Sequence, residues 1–521
     1  MGINEYFSNA DARLWTQLDG PGSALVHINC VDIGDVDQPQ GDVSREMCPD
    51  PRVPGRSHVA MRAQGQPGEA TIQFTVPLGK TSDYLDTMAA RRCQIPFYVL
   101  WAACASVDVF LPLDVDEQFR GYTARGGILT GMGKTNQGSA LRDGSPASGV
   151  MKTYTVSFAS LEDFYQLVAE KVALPVGAIL AWNDVAAFNA ETCGGTCGAP
   201  EQACERLIAV GAAAAAAPEI YFSANSGTTW TVAAASPLAV AMSVVSCGGF
   251  PTAAGTWRAF VMRGTTDAGV ADVCYTDDVG VSWTTVDLPT TTTEFGDGNQ
   301  SLCIVNRNLI FAVTGNTANT AGTVSRGTSQ GTVWEAVLTG DVLNCVDFLN
   351  DNEGIACGEA NAVWHTIDGG ETWDALYGIT TPVPGVEIKT CVMLDSMHWI
   401  IGYAAAVGTS YIYQTFNAGR TWESIVVNLP VAGATAIIPH ALRRVDDHCL
   451  WASFIYTAGA APWGSIARNV AGGASNAWEH NVTGLTTIAG MAGIQPCGYN
   501  KCIGVGGVQA AQPTVMIVAN D

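Results

Sequence analysis

Four segments place a hydroxyl, a carboxylate or carboxamide, a glycine and an indole at the same intervals. They are Ser223, Asn225, Gly227 and Trp230; Thr276, Asp278, Gly280 and Trp283; Thr366, Asp368, Gly370 and Trp373; and Thr415, Asn417, Gly419 and Trp422. Hydroxyls beside carboxylates are groups that acid–base chemistry uses. Each member of this pattern, however, has a folding task. The Asp or Asn side chain accepts backbone N–H bonds across a tight turn, and the glycine takes a conformation closed to other residues. The hydroxyls tie the strand ends, and the indole buries a large face. Two of the four copies carry Asn, which cannot serve as an acid or base. The expectation is therefore sixteen structural positions, no catalytic residue, no cofactor and no metal.

Two other constellations invite chemistry. Cys193, Cys197 and Cys204 lie close together, but with no fourth ligand or histidine near them they make a weak zinc candidate. Gly131-Met-Gly133-Lys134-Thr135 ends like a phosphate-binding loop, yet Ile128 stands where the first glycine should fall, so the spacing fails by one. Cys497 and Cys502 flank a turn, where either a disulfide or two free thiols would fit. Cys247, Cys303, Cys345 and Cys391 recur inside apolar strands, where a thiol packs as a small apolar group.

The elements that hold the repeated turns follow from their period. Worn copies end at Trp334 and Trp478, and the six tryptophans are separated by 53, 51, 39, 49 and 56 residues. That period fits one four-stranded propeller blade with its turns. Second strands run through 207–210, 257–262, 309–313, 355–358, 398–403, 449–454 and 501–505, and the last third strand is 513–519. The count gives a seven-bladed β-propeller whose first and last blades are incomplete and close by joining the two ends of the domain; six blades is the alternative.

Residues 1–182 differ in kind. The alternation at 69–77 and 150–159 predicts half-buried strands, and 95–104 predicts a buried one. Helices are expected at 81–92, with Thr81 or Ser82 as cap, and around 161–171. Long Gly/Pro-rich or polar stretches at 34–68 and 119–149 read as extended loops for neighbour contacts. The fold class expected is mainly β: an N-terminal β-sandwich with a short helix at 1–182, a Cys/Gly-rich linker at 183–204 and the propeller at 205–521.

Composition narrows the function classes. The chain of 521 residues has a net charge of −23, and residues 181–521 hold only 11 Lys+Arg against 28 Asp+Glu. Such a surface has little to neutralise phosphates, which argues against nucleic-acid wrapping and suits a wall along which DNA slides. The opening residues lack a secretory core, and the apolar runs are too short to span a bilayer, so folding in the cytoplasm without membrane insertion is expected.

The repeated turns resemble those of Asp-box (BNR-repeat) propellers over about 320 residues. The run from Gly354 to Trp373 is similar to the photosystem II assembly-factor branch, which implies gripping a partner protein. Sialidases share the box, but their Arg-Ile-Pro segment is absent, and none of the nine arginines from 205 onward sits in a motif of theirs. The strand–helix–strand core at 69–159 resembles the tail-tube (major tail) proteins of long-tailed bacteriophages. That resemblance implies a virion protein, assembled in the host cytoplasm, that forms stacked rings around the DNA channel. Its partners would be itself, other tail proteins, and a host-surface glycan or protein met by an outward-facing propeller. The rival expectation is a carbohydrate-binding or sialidase-like propeller.

Overall fold

The computed structural model resolves two compact units, Met1–Gln166 and Leu167–Asp521. In the first it describes the strands and part of one helical stretch. In the second it describes all but the connecting segments 173–180, 189–203, 213–219, 236–243, 264–272, 290–293, 296–299, 317–320, 377–385, 428–433, 482–490 and a few single or paired positions.

The second unit is a seven-bladed β-propeller. Each blade is an antiparallel sheet with one face for each neighbouring blade. In blade 4 the order from the axis outward is Leu343–Phe348, Gly354–Gly358, Val363–Thr366 and Asp374–Ala375. The innermost strands of blades 1 to 7 are Ala181–Ala187, Val244–Ala253, Leu302–Asn306, Leu343–Phe348, Ile388–Met393, Ala434–Arg444 and Met491–Pro496. Between blades lie separate apolar clusters; one joins Cys303, Phe311 and Val313 to Leu343, Phe348 and Trp373. All seven expected second strands fall in place.

Closure differs from the expectation in detail. Only blade 7 is composite: three strands come from the C-terminus, and the outermost, Leu167–Val172, pairs with Gln512–Asn520 from Leu167 opposite Asn520 to Val172 opposite Val515. Residues expected to form a helix around 161–171 are thus strands, Ser160–Tyr165 and Leu167–Val172. The open edge of the last strand recruits the segment, and ladder pairing overrides local helical preference. For the same reason the boundary expected at 182/183 falls inside a blade 1 strand, and the propeller begins at Leu167 rather than at 205. Strand pairing claims the start of the expected linker, within Ala181–Ala187, and 189–203, with Cys193 and Cys197, lies outside the described residues.

Cysteine pairing also departs from expectation. Cys497 bonds to Cys204, not Cys502, and links blade 7 to the connection between the first two strands of blade 1 across 293 residues of sequence. Cys502 is a buried free thiol inside strand Lys501–Gln509.

The first unit carries a nine-stranded antiparallel sheet containing Ala70–Pro77, Gln94–Ala102 and Val150–Phe158. Ser82, Asp83, Leu85, Asp86 and Ala89 are helical. Tyr154 packs its ring on Phe74 and donates to the Ser82 carbonyl and to Asp86, joining the strand pair to that stretch. The regions read as extended loops hold strands instead: Val43–Pro49 pairs with Ser57–Ala63, and Phe119–Leu129 and Lys134–Gln137 join the main sheet. Lys134 and Thr135 therefore sit in a strand, not at the start of a helix.

Candidate functional site

Two places in the propeller gather polar side chains: the repeated outer turns and the innermost strands around the axis. At the turns the structure brings all four residues of each copy together. Thr276 accepts from the Gly280 N–H at 2.9 Å and donates to Asp278 at 2.7 Å. Asp278 accepts the Ser282 N–H at 2.8 Å and the Ser282 hydroxyl at 2.5 Å. Thr366, Asp368, Gly370 and Thr372 repeat every one of these bonds.

In the Asn copies the outer bond reverses. The Asn225 and Asn417 amides donate to the hydroxyls of Thr229 and Thr421, both at 2.8 Å. The Asn oxygens still accept Ser223 and Thr415 on one side and the N–H groups of Thr229 and Thr421 on the other. Gly227 and Gly419 donate to the hydroxyls of Ser223 and Thr415 as their counterparts do. The hydroxyl of Ser282 or Thr372 leads the bonds that hold Asp278 and Asp368 down at about 2.

Glycine is required at the turn itself. Gly370 has φ 74°, and a Cβ there would meet Phe311 at 2.4 Å. Phe311 belongs to blade 3, and Trp373 stands edge-on to Phe311 and to Phe348. Trp283 of blade 2 meets Phe222 of blade 1 at a tilt of 33°, with ring centroids 6.5 Å apart. The Trp230 and Trp422 indoles donate to Gly227 and Gly419 of their own turns, and Trp334 does the same to Gly331. In the worn copy before Trp478, Asn469 takes the hydroxyl's part and accepts from Gly473 at 3.0 Å.

Sequence reasoning missed the axis. A β-bulge recurs in the innermost strand of all seven blades, marked by register shifts at Trp182/Asp184, Val244/Ser246, Ile304/Asn306, Leu343/Cys345, Ile388/Thr390, Pro439/Ala441 and Met491/Gly493. A bulge redirects the side chain of the extra residue. The extra residues include Asn183, Asn344, Lys389 and His440. Asn183 donates to the Val244 carbonyl of blade 2 at 2.7 Å, and Asn344 to the Ile388 carbonyl of blade 5 at 3.1 Å. Asn344 also donates to Glu387, which pairs with Lys389. Burial first, and the Lys389 charge second, push half-buried His440 down to about 4.

Deeper along the axis the polar groups reach across it. Gln300 of blade 3 donates to the Cys391 and Leu442 carbonyls of blades 5 and 6 at 3.2 and 2.9 Å and accepts from Cys391 N–H and Thr390. Asp184 is fully buried. It accepts the Cys247 N–H at 3.0 Å and the Ser246 hydroxyl at 3.2 Å, with Arg443 at 3.7 Å. Burial outweighs these partners and raises its carboxyl to about 7. Asp347 accepts the Met393 N–H at 2.8 Å and is likewise raised by burial, against Arg444 and Arg443. Arg444 donates to the Met393, Phe348 and Leu349 carbonyls.

A carboxyl titrating near neutrality is what acid–base catalysis needs. Asp184 has no exposed surface against which a substrate can rest. Lys389, Glu387, His440 and Arg443 keep part of their surface, so a ligand meeting the axis would meet these. The sequence signal for Lys389 and His440 was a polar residue interrupting an otherwise apolar innermost strand, visible only once those strands are aligned by blade.

No family model and no curated protein matches the chain. Among solved structures, "YCF48 bound to D1 peptide" is similar at 13% identity over 69% of this chain and 99% of that one, with a TM-score of 0.46. YCF48 from Cyanidioschyzon merolae is similar at 14% identity over 67% and 98%, with a TM-score of 0.44. A GH74 xyloglucanase from Xanthomonas campestris is similar at 14% identity over 66% of this chain and 52% of its own, with a TM-score of 0.46. The blade count rests on the seven sheets themselves. Among the described residues no helix is long and apolar enough to cross a membrane.

Proposed function

We propose that the chain is a structural virion protein. Its first unit, a tail-tube-like β-sandwich with a short helix, oligomerises into stacked rings around a DNA channel. The propeller, built on Asp-box turns of the BNR type, is a non-catalytic head for decoration or host-surface contact. The observation that carries this reading is the hairpin Val43–Pro49/Ser57–Ala63, whose strands pair, among the described residues, only with each other. A two-stranded hairpin is marginal in water and calls for a partner surface, as an arm reaching to a neighbouring subunit would have. The acidic balance of residues 181–521 is consistent with a particle surface that DNA does not foul. Partners would be further copies of the chain and other tail proteins, assembled in the host cytoplasm. Negative-stain microscopy and sedimentation of the full chain test it: rings or tubes are expected, and a stable monomer at high concentration overturns it.

A second reading, a carbohydrate-binding propeller, is supported by the half-exposed Glu387, Lys389, His440 and Arg443 near the axis, since sugar hydroxyls are met by such mixed donors and acceptors. A glycan array with a fluorogenic sialoside assay tests it, and silence in both rejects it.

A further inference from the structure

Blade 4 and blade 5 meet at three buried sulfurs. Cys345 lies in the innermost strand of blade 4, Cys357 is its register partner on the second strand, and Cys391 lies in the innermost strand of blade 5. All three are free, wholly buried thiols, and their Sγ atoms lie within 4.8 Å of one another. The surrounding cluster is apolar and aromatic, with Ile388, Ile401, Trp399 and Tyr403. The Tyr403 hydroxyl and the Trp399 indole N–H have no hydrogen-bond partner among the described residues. Tyr403 stands within electrostatic reach of Cys357, and so does the carboxyl of Asp347. Other innermost-strand cysteines, such as Cys247 and Cys303, fall in different apolar clusters, where packing alone accounts for them.

We propose that Cys345, Cys357 and Cys391 bind one soft divalent cation of the zinc type as thiolates. Tyr403 is the polar group placed to complete or hydrogen-bond the fourth position. Zinc–thiolate bonds of about 2.3 Å put tetrahedral sulfurs about 3.8 Å apart, so the cluster needs to contract by no more than about 1 Å to reach that geometry. Thiolate donors select soft cations over calcium or magnesium. Binding releases the thiol protons to solvent, and the cation's charge offsets thiolate charges that an apolar site otherwise rejects. Because the ligands come from two adjacent blades, the ion would rivet blade 4 to blade 5, far in sequence from the Cys204–Cys497 link of blades 1 and 7. The cation would enter during folding, before the blades close over the sulfurs.

The test uses the full chain expressed with supplemental zinc and purified under reducing conditions, with metal measured by mass spectrometry. One equivalent of zinc per chain is expected, retained in C193S/C197S and lost in C357A and in C391A variants that keep the wild-type circular dichroism. Expression with cobalt should give a sulfur-to-metal charge-transfer band that the same two variants lose. Less than a tenth of an equivalent in a wild-type chain whose three thiols alkylate after unfolding overturns the proposal. So does a disulfide mapped between any two of the three cysteines, or zinc retained in both folded variants.

Discussion

The rim and the axis of the propeller use carboxylates in opposite ways. At the rim Asp278 and Asp368 face water and collect hydroxyl and N–H donors, which hold them at about 2. At the axis Asp184 is sealed from water and sits near 7 despite Arg443. The rim carboxylate serves as an acceptor that a carboxamide replaces in two of the four copies. The axial one is a buried acid that the fold pushes toward its neutral form, because desolvation exceeds what Arg443 and the neutral donors return. A sequence repeat therefore advertises itself where each blade solves the same local problem, while at the axis the bulge recurs but the side chain it carries changes from blade to blade.

The largest effect expected follows from that difference. Arg444→Met removes the cation facing Asp347 together with three carbonyl acceptors' donor, and should cost about 3–5 kcal/mol, read as a fall in urea midpoint. The rim control is Arg258→Met, whose partner Asp277 lies 2.7 Å away but is half exposed; it should cost about 1 kcal/mol or less. Equal losses at both places would erase the distinction between axis and rim.

A second test turns on pH. Asp184 has a folded value of about 7 against an ordinary 3.8, so the neutral form is the one the fold favours. Its contribution is complete below pH 3.8 and is lost as pH rises through about 7. The shift corresponds to roughly 4 kcal/mol at most. Asp184→Asn keeps an oxygen to accept the Cys247 N–H and cannot ionise. The variant should lose less stability than wild type between pH 5 and pH 8. Parallel curves over that range would place the Asp184 charge in a far better solvated setting.

Much of this architecture was legible in the chain. Gly370 and Trp373 fix a turn and an inter-blade contact, and such turns at blade spacing located the second strands. Leu167–Val172 was not legible, because a strand that completes a sheet from the far end of the domain obeys its partner rather than its own propensity. The Cys204–Cys497 pairing was hidden for the same reason, since closure of the ring makes neighbours of residues 293 apart. At the axis Asn183, Lys389 and His440 owe their direction to bulges, a half-turn of register that alternation in sequence does not record.

The smallest expected effect probes the rim alone. In the third copy the Asp368 oxygens take the Thr372 N–H at 2.9 Å, the Thr366 hydroxyl at 2.8 Å and the Thr372 hydroxyl at 2.5 Å. Asp368→Ala deletes all three and should cost about 1–2 kcal/mol. Asp368→Asn loses none of them if the Thr372 hydroxyl turns from donor to acceptor, the arrangement Thr421 already adopts opposite Asn417. At pH 7 the Asn variant should therefore lie within about 0.5 kcal/mol of wild type. The acid limb separates the two. The Asp368 carboxylate is favoured in the fold, so its contribution is present above 3.8 and disappears as pH falls through about 2. Wild type should lose stability over that window faster than Asp368→Asn, measured by urea unfolding at steps from pH 5 to pH 2. An Asn variant as damaged as the Ala variant at pH 7 would mean that the charge, rather than the acceptor geometry, holds the turn.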